Sequence, residues 1–502
     1  MLHFKKLSLA LLSSFALILA YVYEPLGWLG FVALVPIIYA TEKAKTKVDI
    51  LCWIICIFVY AAVVYFRMPQ MLLEKATSSA WIAYPSTFLF ILWQTLPFMV
   101  FALCRFKIKI MGEGANVFLL AATLTLLSFF HWSPLPLIIS SQLEIPVLFL
   151  QVLDIGGLPL ADFLIYVVNF SFAKLLFALK DDKKQQLRKH IVTISAVLST
   201  LIIYGLFSIY RFGTNEEQNS QNSISVGLVH TSFAYNVSKK AELNKLLELT
   251  RSLKSAQQNI NLIVWPELPN PPRQRADINL KRVISQLNKE FNSPVLTHNL
   301  AFSDKHSGFN NQPYRYNLVS LFDAEKIVAE HKKQLLLPLV EYLPMENLLR
   351  DVFPKPASYI PGEGSSVLTL ANGVMIAPLI CYESDFPDYS MQAVNLGANL
   401  LINVVNDTWS QNHLNARKHF RLAQMRAIEL RKSIIRVTNN GYSGVVYSSG
   451  KGQRIYAPGE YSSQLKSVPL SEHRSLYFYL GDWVFWGCLL IIVWQFLRYR
   501  YF

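Results

Sequence analysis

The sequence predicts a multi-span α-helical membrane domain joined to a polar α/β domain on its outer side. Three observations predict it. Of 502 residues, 52% are apolar and only 16% charged, a composition unusual for a soluble chain of this length. Long apolar runs crowd residues 1–210 and recur once near the C-terminus, while 211–474 carries short β-branched runs instead. The lysines and arginines of the first part collect in alternate loops.

A spanning helix needs about 20 mostly apolar residues. Candidate runs lie at 7–23, 26–40, 50–66, 86–104, 115–130, 161–179 and 191–210, with an eighth at 476–497. The second is short, and Gly27 and Gly30 weaken it. Residues 134–159 are apolar but broken by prolines and by Gly156 and Gly157, which suits a re-entrant or interfacial piece buried against other helices. Lys5 and Lys6 precede the first run, and Lys43, Lys45 and Lys47 follow the second. Arg105, Lys107 and Lys109 follow the fourth, Lys180 to Lys189 the sixth, and Arg498 and Arg500 the eighth. The loops between hold few cations: none at 24–25, Arg67 and Lys75 in the next, none at 131–154. The positive-inside rule then places both termini in the cytoplasm and 211–474 on the other side. A signal peptide headed by Lys5 and Lys6 is the alternative for the first run, but no clear small-x-small site follows it.

The net charge of +14 invites a nucleic-acid reading, yet the basic residues sit in loops and not as one stripe on a folded face. Of five cysteines, Cys52, Cys56, Cys104 and Cys488 lie in strongly apolar segments, which leaves Cys381 alone in the polar domain and excludes a disulfide framework there. Cys52 and Cys56 read as small residues on one helix face. His413 and His419 read as structural or substrate-facing residues and not as metal ligands. Neither a metal nor a cofactor is expected.

The polar domain, 211–474, opens with a polar linker at 211–222. Strand-like runs follow at 224–229, 260–265, 294–297, 318–322, 366–370, 374–380, 400–405, 434–438 and 444–448. Helical spacing appears at 241–257 and 419–432. Strands alternating with helices, then a strand-rich second half, predict a sandwich with sheets inside and helices outside.

Three residues in this domain could act together. Cys381 follows the apolar run 374–380, Glu267 ends the run in VWPE, and Lys333 precedes a proline-flanked loop. A thiol attacks poorly until a cation or base makes it a thiolate. Lys333 could lower the thiol pKa and face the charge of a tetrahedral intermediate. Glu267 could take the thiol proton and later deprotonate an incoming nucleophile. The backbone N–H of Tyr382 could supply an oxyanion donor. The set suits acyl transfer through a thioester.

These stretches resemble the Glu-Lys-Cys signature of the nitrilase, or carbon–nitrogen hydrolase, superfamily, whose domain is an αββα sandwich. The helices before and after the domain narrow the resemblance to the apolipoprotein N-acyltransferase family. The matching pieces are VWPE, the K-x-x-L-x-P-x-x-E-Y-x-P loop at 333–344, ICYE at 380–383, NDTW at 406–409, the block 418–446 and the early EPLGWLGFVALVPI. The resemblance implies Cys381 as the acylated nucleophile, Glu267 as general base and Lys333 as the stabilising cation, chosen over Lys332 by its spacing to Pro338. It implies Glu341 as the group tuning Lys333, Tyr382 and Glu383 as supports of the nucleophile loop, and Trp409 in a flap. Tyr235 stands where the family tends to carry a tryptophan that binds substrate. The implied reaction is ping-pong. An acyl chain passes from a phospholipid, phosphatidylethanolamine, to Cys381, and then to the α-amine of the diacylglyceryl-cysteine of an apolipoprotein. A membrane-anchored amidase is the other reading the same triad allows. Leu339 and Val340 depart from the family's aromatic and glycine, and Val340 cannot readily take the positive φ of a glycine.

Overall fold

The computed structural model of the chain describes residues 2–42, 46–112, 114–218, 222–256, 259–271, 278–306, 312–323, 326–409 and 413–501. Lys43 and Lys45, residues 219–221 of the expected linker and Gln257 of the first expected helix lie outside these. The chain divides into two compact units. One is Met1–Pro69, Ala80–Ile209 and Leu476–Phe502; the other is Gln70–Ser79 with Tyr210–Ser475.

The first unit is helical. Among the described residues, five helices are long and apolar enough to cross a membrane: His3–Val22, Lys47–Val64, Ala80–Lys107, Leu153–Lys180 and Lys184–Gly213. Val117–Phe130 is apolar but shorter, and the C-terminal helix runs Trp483–Tyr501. The expected run 26–40 is not one α-helix. A 3-10 helix, Glu24–Phe31, gives way to a short α-helix, Val35–Ala40. The cause is close packing: a Cβ on Gly27 would sit 1.5 Å from the Glu144 carbonyl oxygen. The proline-broken stretch forms two single turns, Ile139–Gln142, mostly buried, and Val147–Leu150, where Leu150 alone is fully buried. The backbone N–H of Ser140 finds its partner in Asp162 Oδ1 at 2.7 Å, as a buried irregular backbone must. The following helix starts earlier than the run 161–179 and breaks at Gly156 and Gly157. Gly157 takes φ +62 with the Tyr477 ring 2.7 Å from the place of a Cβ. The expected linker at 211–222 is instead helical as far as Gln218. Its Asn, Glu and Gln residues carry only small helix penalties, and Gly213 alone is too weak to end the helix.

The second unit is a two-sheet sandwich. Its strands are β1 (Ser223–His230), β2 (Leu262–Val264), β3 (Val295–His306), β4 (Pro313–Asp323), β5 (Lys326–Lys332), β6 (Leu368–Thr369), β7 (Met375–Ile380), β8 (Leu400–Asn406), β9 (Ser433–Asn439), β10 (Ser443–Val446), β11 (Gly452–Tyr456) and β12 (Ser462–Pro469). One sheet has the order β12-β1-β2-β3-β4-β5 and the other β11-β10-β9-β8-β7-β6. In each, three parallel strands form the centre, β1-β2-β3 and β7-β8-β9, and antiparallel strands form the flanks.

Period-two alternation builds both layers of the core. Ile224, Val226, Leu228, Leu262 and Val264 meet Ile376, Ile380, Ile402, Val404 and Val437 between the sheets. Val229, Ile263 and Trp265 point outward to helices Lys239–Ser252 and Ile278–Phe291, through Leu243, Leu246, Val283 and Leu287. The central strands are buried on both faces, which is why their runs read as continuously apolar. Strands β5, β11 and β12 were not expected. Their residues are polar or half-exposed, so no apolar run announces them. Helices Ile278–Phe291 and Pro387–Asn395 were missed too, and the helix expected at 419–432 starts earlier, spanning His413–Leu430.

Candidate active site

The strand ends of the parallel centres carry the site. After β2, Trp265 and Pro266 end the ladder, since proline has no N–H to give it. Glu267 follows, 9% exposed. Its Oε1 accepts from Asn317 Nδ2 at 3.1 Å and its Oε2 from the Asn406 backbone N–H at 3.0 Å. One carboxylate thus joins β2, β4 and the end of β8.

Lys333 is the first residue beyond β5 and is 2% exposed. Its backbone N–H donates to the Asn317 carbonyl at 2.8 Å, and its carbonyl accepts from Gly362 N–H at 2.8 Å. Gly362 has to be glycine here, because a Cβ would lie 2.5 Å from the Lys332 carbonyl oxygen. The ammonium donates to Glu341 Oε1 at 2.8 Å. Lys332, its neighbour, is turned away, with its ammonium 4.3 Å above the Tyr316 ring. Burial works against the charge of Lys333, but Glu341 first, then Cys381 and Glu267, outweigh it and hold the ammonium well above its ordinary pKa.

Glu341 is fixed by its own loop. Its Oε2 accepts from the Leu337 N–H at 2.8 Å, and its Oε1 takes Asn317 Nδ2 at 3.1 Å beside Lys333. The turn needs one left-handed residue, and that residue is Leu339 at φ +64. Val340, which cannot readily take a positive φ, is not among the left-handed residues.

Cys381 ends β7 and opens the 3-10 helix Cys381–Asp385. It is half-buried and takes φ +51, a left-handed conformation that costs an L-residue about 1–2 kcal/mol. The surroundings hold it there. Its carbonyl accepts from Ser384 Oγ at 3.1 Å and from Asn403 Nδ2 at 3.2 Å. Glu383 Oε2 accepts from the Ile380 N–H at 2.7 Å and faces His331 Nε2 at 3.1 Å, while its Oε1 accepts from the Gln334 N–H at 2.6 Å. Burial alone would raise the Glu383 carboxyl, yet His331 and these backbone donors hold it below its ordinary range. One buried side chain therefore pins the residue before Cys381 to the residue after Lys333. The expected lowering of the Cys381 pKa is not found. Burial and the Glu267 carboxylate push the thiol well up, and the downward pull of Lys333 does not compensate. The thiol thus lies within electrostatic range of a carboxylate, Glu267, and an ammonium, Lys333.

Tyr382 is buried, with its ring edge-on to Phe386 at 5.0 Å. Trp409 is half-buried in the turn after β8, beside residues 410–412, which lie outside the described ones. Tyr235 is 38% exposed. Its hydroxyl is held up by burial, then by Glu267, Glu74, Cys381 and Asp407, which puts it within range of the triad. His419 is buried between Asp407, 2.8 Å from Nδ1, and Asp385, 3.4 Å from Nε2. His413 lies against Tyr442.

Sequence reasoning missed Asn317, His298, His331, Asn403 and Asp407. Asn317 bridges Glu267 and Glu341, and its Oδ1 lies 2.8 Å from His298 Nε2. The Leu268 N–H donates to His298 Nδ1 at 3.1 Å, so the proton sits on Nε2. Burial lowers the pKa of this imidazole and keeps it neutral. Asp407 pairs with Arg436 at 3.0 Å, and Arg436 also donates to Asn403. Asp407 sits in the NDTW piece but had no role assigned from it; the other four have no local sequence signature, because each acts across strands distant in the chain.

The profile of the family described as carbon–nitrogen hydrolase matches residues 221–479. The apolipoprotein N-acyltransferase of Pseudomonas aeruginosa PAO1 is 33% identical over 217 residues, 41% of this chain and 40% of the relative. That of Shewanella oneidensis is 28% identical over 303 residues, 55% of each chain. The matched stretch spans about half the length of such curated relatives. Saccharomyces cerevisiae Nit3, of the nitrilase superfamily, superposes on 49% of this chain and 90% of its own, with 19% identity and a TM-score of 0.39.

Proposed function

The chain belongs to the carbon–nitrogen hydrolase family, and from that premise we propose that it is a membrane-anchored N-acyltransferase working through a Cys381 thioester. The observation that carries the reading is the hydrogen-bonded chain from Glu267 through Asn317 and Glu341 to Lys333, with Glu383 joining the residue after Lys333 to the residue before Cys381. The names of the relatives support the choice of acyl transfer to an apolipoprotein.

In the first half-reaction Glu267 takes the Sγ proton as sulfur attacks the ester carbonyl of a phospholipid, phosphatidylethanolamine. The oxyanion faces the Lys333 ammonium and the Tyr382 N–H. Collapse breaks the ester C–O bond, Glu267 returns the proton to the leaving oxygen, and a lysophospholipid departs. In the second half-reaction the α-amine of a diacylglyceryl-cysteine attacks the thioester, Glu267 takes its proton, and the Cys381 thiol is restored as the amide forms. Glu341 and Asn317 hold Lys333 and Glu267 in place for both halves. Charge placement and hydropathy support a bacterial inner-membrane protein with eight crossings, 1–210 and 475–502 in the membrane domain, both termini cytoplasmic, and 211–474 periplasmic.

Mass spectrometry of the Cys381 peptide tests the reading, on detergent-purified protein incubated with phosphatidylethanolamine. A hydroxylamine-sensitive acyl adduct is expected, absent from Glu267→Gln protein and discharged by a diacylglyceryl peptide with a free amine. Discharge by water alone at the same rate would instead mark an amidase-like hydrolase. An unmodified Cys381 in folded protein would overturn the thioester route from this donor.

A further inference from the structure

Residues Gln70–Ser79 lie in the sequence between two long apolar helices, yet they cluster with the sandwich unit. Two contacts hold them there. The Lys355 N–H donates to the Ala76 carbonyl at 3.1 Å, and the Lys355 ammonium donates to the Leu73 carbonyl. The short helix Met68–Lys75 ends in a lysine whose ammonium lies 3.6 Å from the centroid of the Tyr235 ring. Asn270, three residues after Glu267, donates its Nδ2 to the Tyr235 carbonyl at 3.2 Å, which ties the Tyr235 backbone to the loop that carries Glu267. The stacked pair therefore belongs to the surroundings of the triad.

Lys75 is half-buried, and among the described residues it forms no ion pair. Glu74, next to it, is exposed and accepts from Gln70 at 3.3 Å. An ammonium over a ring face gains about 0.5–2 kcal/mol from the ring quadrupole. Glu74 favours the charge of Lys75 without forming an ion pair with it, and lysine has three N–H donors to offer. A partly desolvated cation in such a place favours an anionic ligand. The neutral surroundings of an acyl ester do not supply one, but the phosphate of a glycerophospholipid is joined to its ester carbonyls through the same glycerol.

We propose that Lys75, seated on Tyr235, binds the phosphodiester of the acyl donor beside the Cys381 site. The assignment rests on the acyltransferase reading above and deepens it. It makes Lys75 a specificity-determining residue: it would select a donor that carries a phosphodiester over an ester without one, while taking no part in bond making. Charge is what the site reads, so arginine should substitute and glutamine should not.

The test uses full-length protein in detergent and follows acylation of Cys381 from two donors, phosphatidylethanolamine and a neutral p-nitrophenyl acyl ester. The readout is the ratio of the two kcat/KM values. Lys75→Gln is expected to lower the ratio in favour of the phospholipid by about tenfold or more, as loss of a charge-assisted hydrogen bond implies, mostly through KM. Lys75→Arg should keep it. Tyr235→Ala should lower it, and Tyr235→Phe, which retains the ring, should not. An unchanged ratio in Lys75→Gln, whether both rates fall together or neither falls, would overturn the assignment. Inorganic phosphate distinguishes a free anion from a headgroup. Millimolar phosphate that binds at Lys75 without competing with phosphatidylethanolamine would mean a free-phosphate site and would also overturn it. Wild-type protein acylated by the neutral ester alone would defeat the phospholipid donor itself, a failure distinct from an unchanged ratio with both donors active.

Discussion

Asn317 does more for the site than its polar, uncharged side chain announces. It holds Glu267 and Glu341 with one amide group, and its backbone carbonyl holds the N–H of Lys333. Two carboxylates share that donor, and its loss would leave both under-satisfied in a buried place. Asn317→Leu should slow thioester formation by about 10²-fold, the lower range for misplacing a general base. Rapid-quench mass spectrometry of Cys381 would measure it, with near-wild-type melting as the control for folding. The candidate residues were legible because Glu267 and Cys381 each end an apolar run and Lys333 opens a proline-flanked motif. Asn317 was not, because it lies mid-strand in β4 and earns its place only through cross-strand neighbours. The loop after Lys333 shows the same limit. The need for a left-handed residue was visible, but its position at Leu339 was set by hydrogen bonds within 337–342. Leu339→Gly should relieve about 1 kcal/mol of backbone strain, roughly offset by the greater freedom of glycine in the unfolded chain. Leu339→Val should destabilise the loop, since β-branched residues resist positive φ. Thermal melting of the two variants would separate these expectations.

At the scale of elements, Glu383 and His331 act as a clamp between the end of β5 and the end of β7. The clamp sets the distance between cation and nucleophile without touching either reacting atom. His331→Ala should destabilise the unit by about 1–3 kcal/mol, the cost of leaving a buried charged acceptor short of a donor. It should also slow acylation more than it weakens donor binding, a fall in kcat with little change in KM. A KM effect alone would argue against the clamp. The strands of the two parallel centres were legible from their apolar runs, while β5, β11 and β12 were hidden by their polar, half-exposed sequences. The membrane-type helices were legible as apolar runs but not as geometry. Nothing in the run 26–40 says that Gly27 must admit the Glu144 carbonyl. Gly27→Ala should therefore lower the melting temperature of the helical unit, or prevent its assembly, although alanine is the better helix former.

Over the whole molecule, pH should act through buried ion pairs of the sandwich. Burial and Arg436 oppose the charge of His419, but Asp407 and Asp385 overcome them and raise its pKa from 6.5 to about 9. A raised folded pKa means stability that is fully present below about 6.5 and lost as pH climbs through about 9. Asp407 and Glu383 have the opposite sign. Their depressed pKa values give stability present above their unfolded values and lost as pH falls. Melting temperature should therefore decline on both sides, and His419→Gln should flatten the alkaline limb. Differential scanning fluorimetry from about pH 2 to about pH 10 would show either limb missing. The division into a helical and a sandwich body was visible in composition alone. That the short segment Gln70–Ser79 leaves the first body for the second was not, since its sequence is too brief and too mixed to carry a domain's signature.

The protonated state of Cys381 has a consequence for its survival. Peroxides and alkylating reagents attack thiolates, and the ladder to sulfenic and sulfinic acid starts from that anion. A thiol held up by burial and by Glu267 stays chemically quiet until a substrate is in place and the proton has moved. The free protein should thus be alkylated slowly by iodoacetamide and lose little activity to mild oxidants, a latency that suits the one cysteine in the sequence of the sandwich unit.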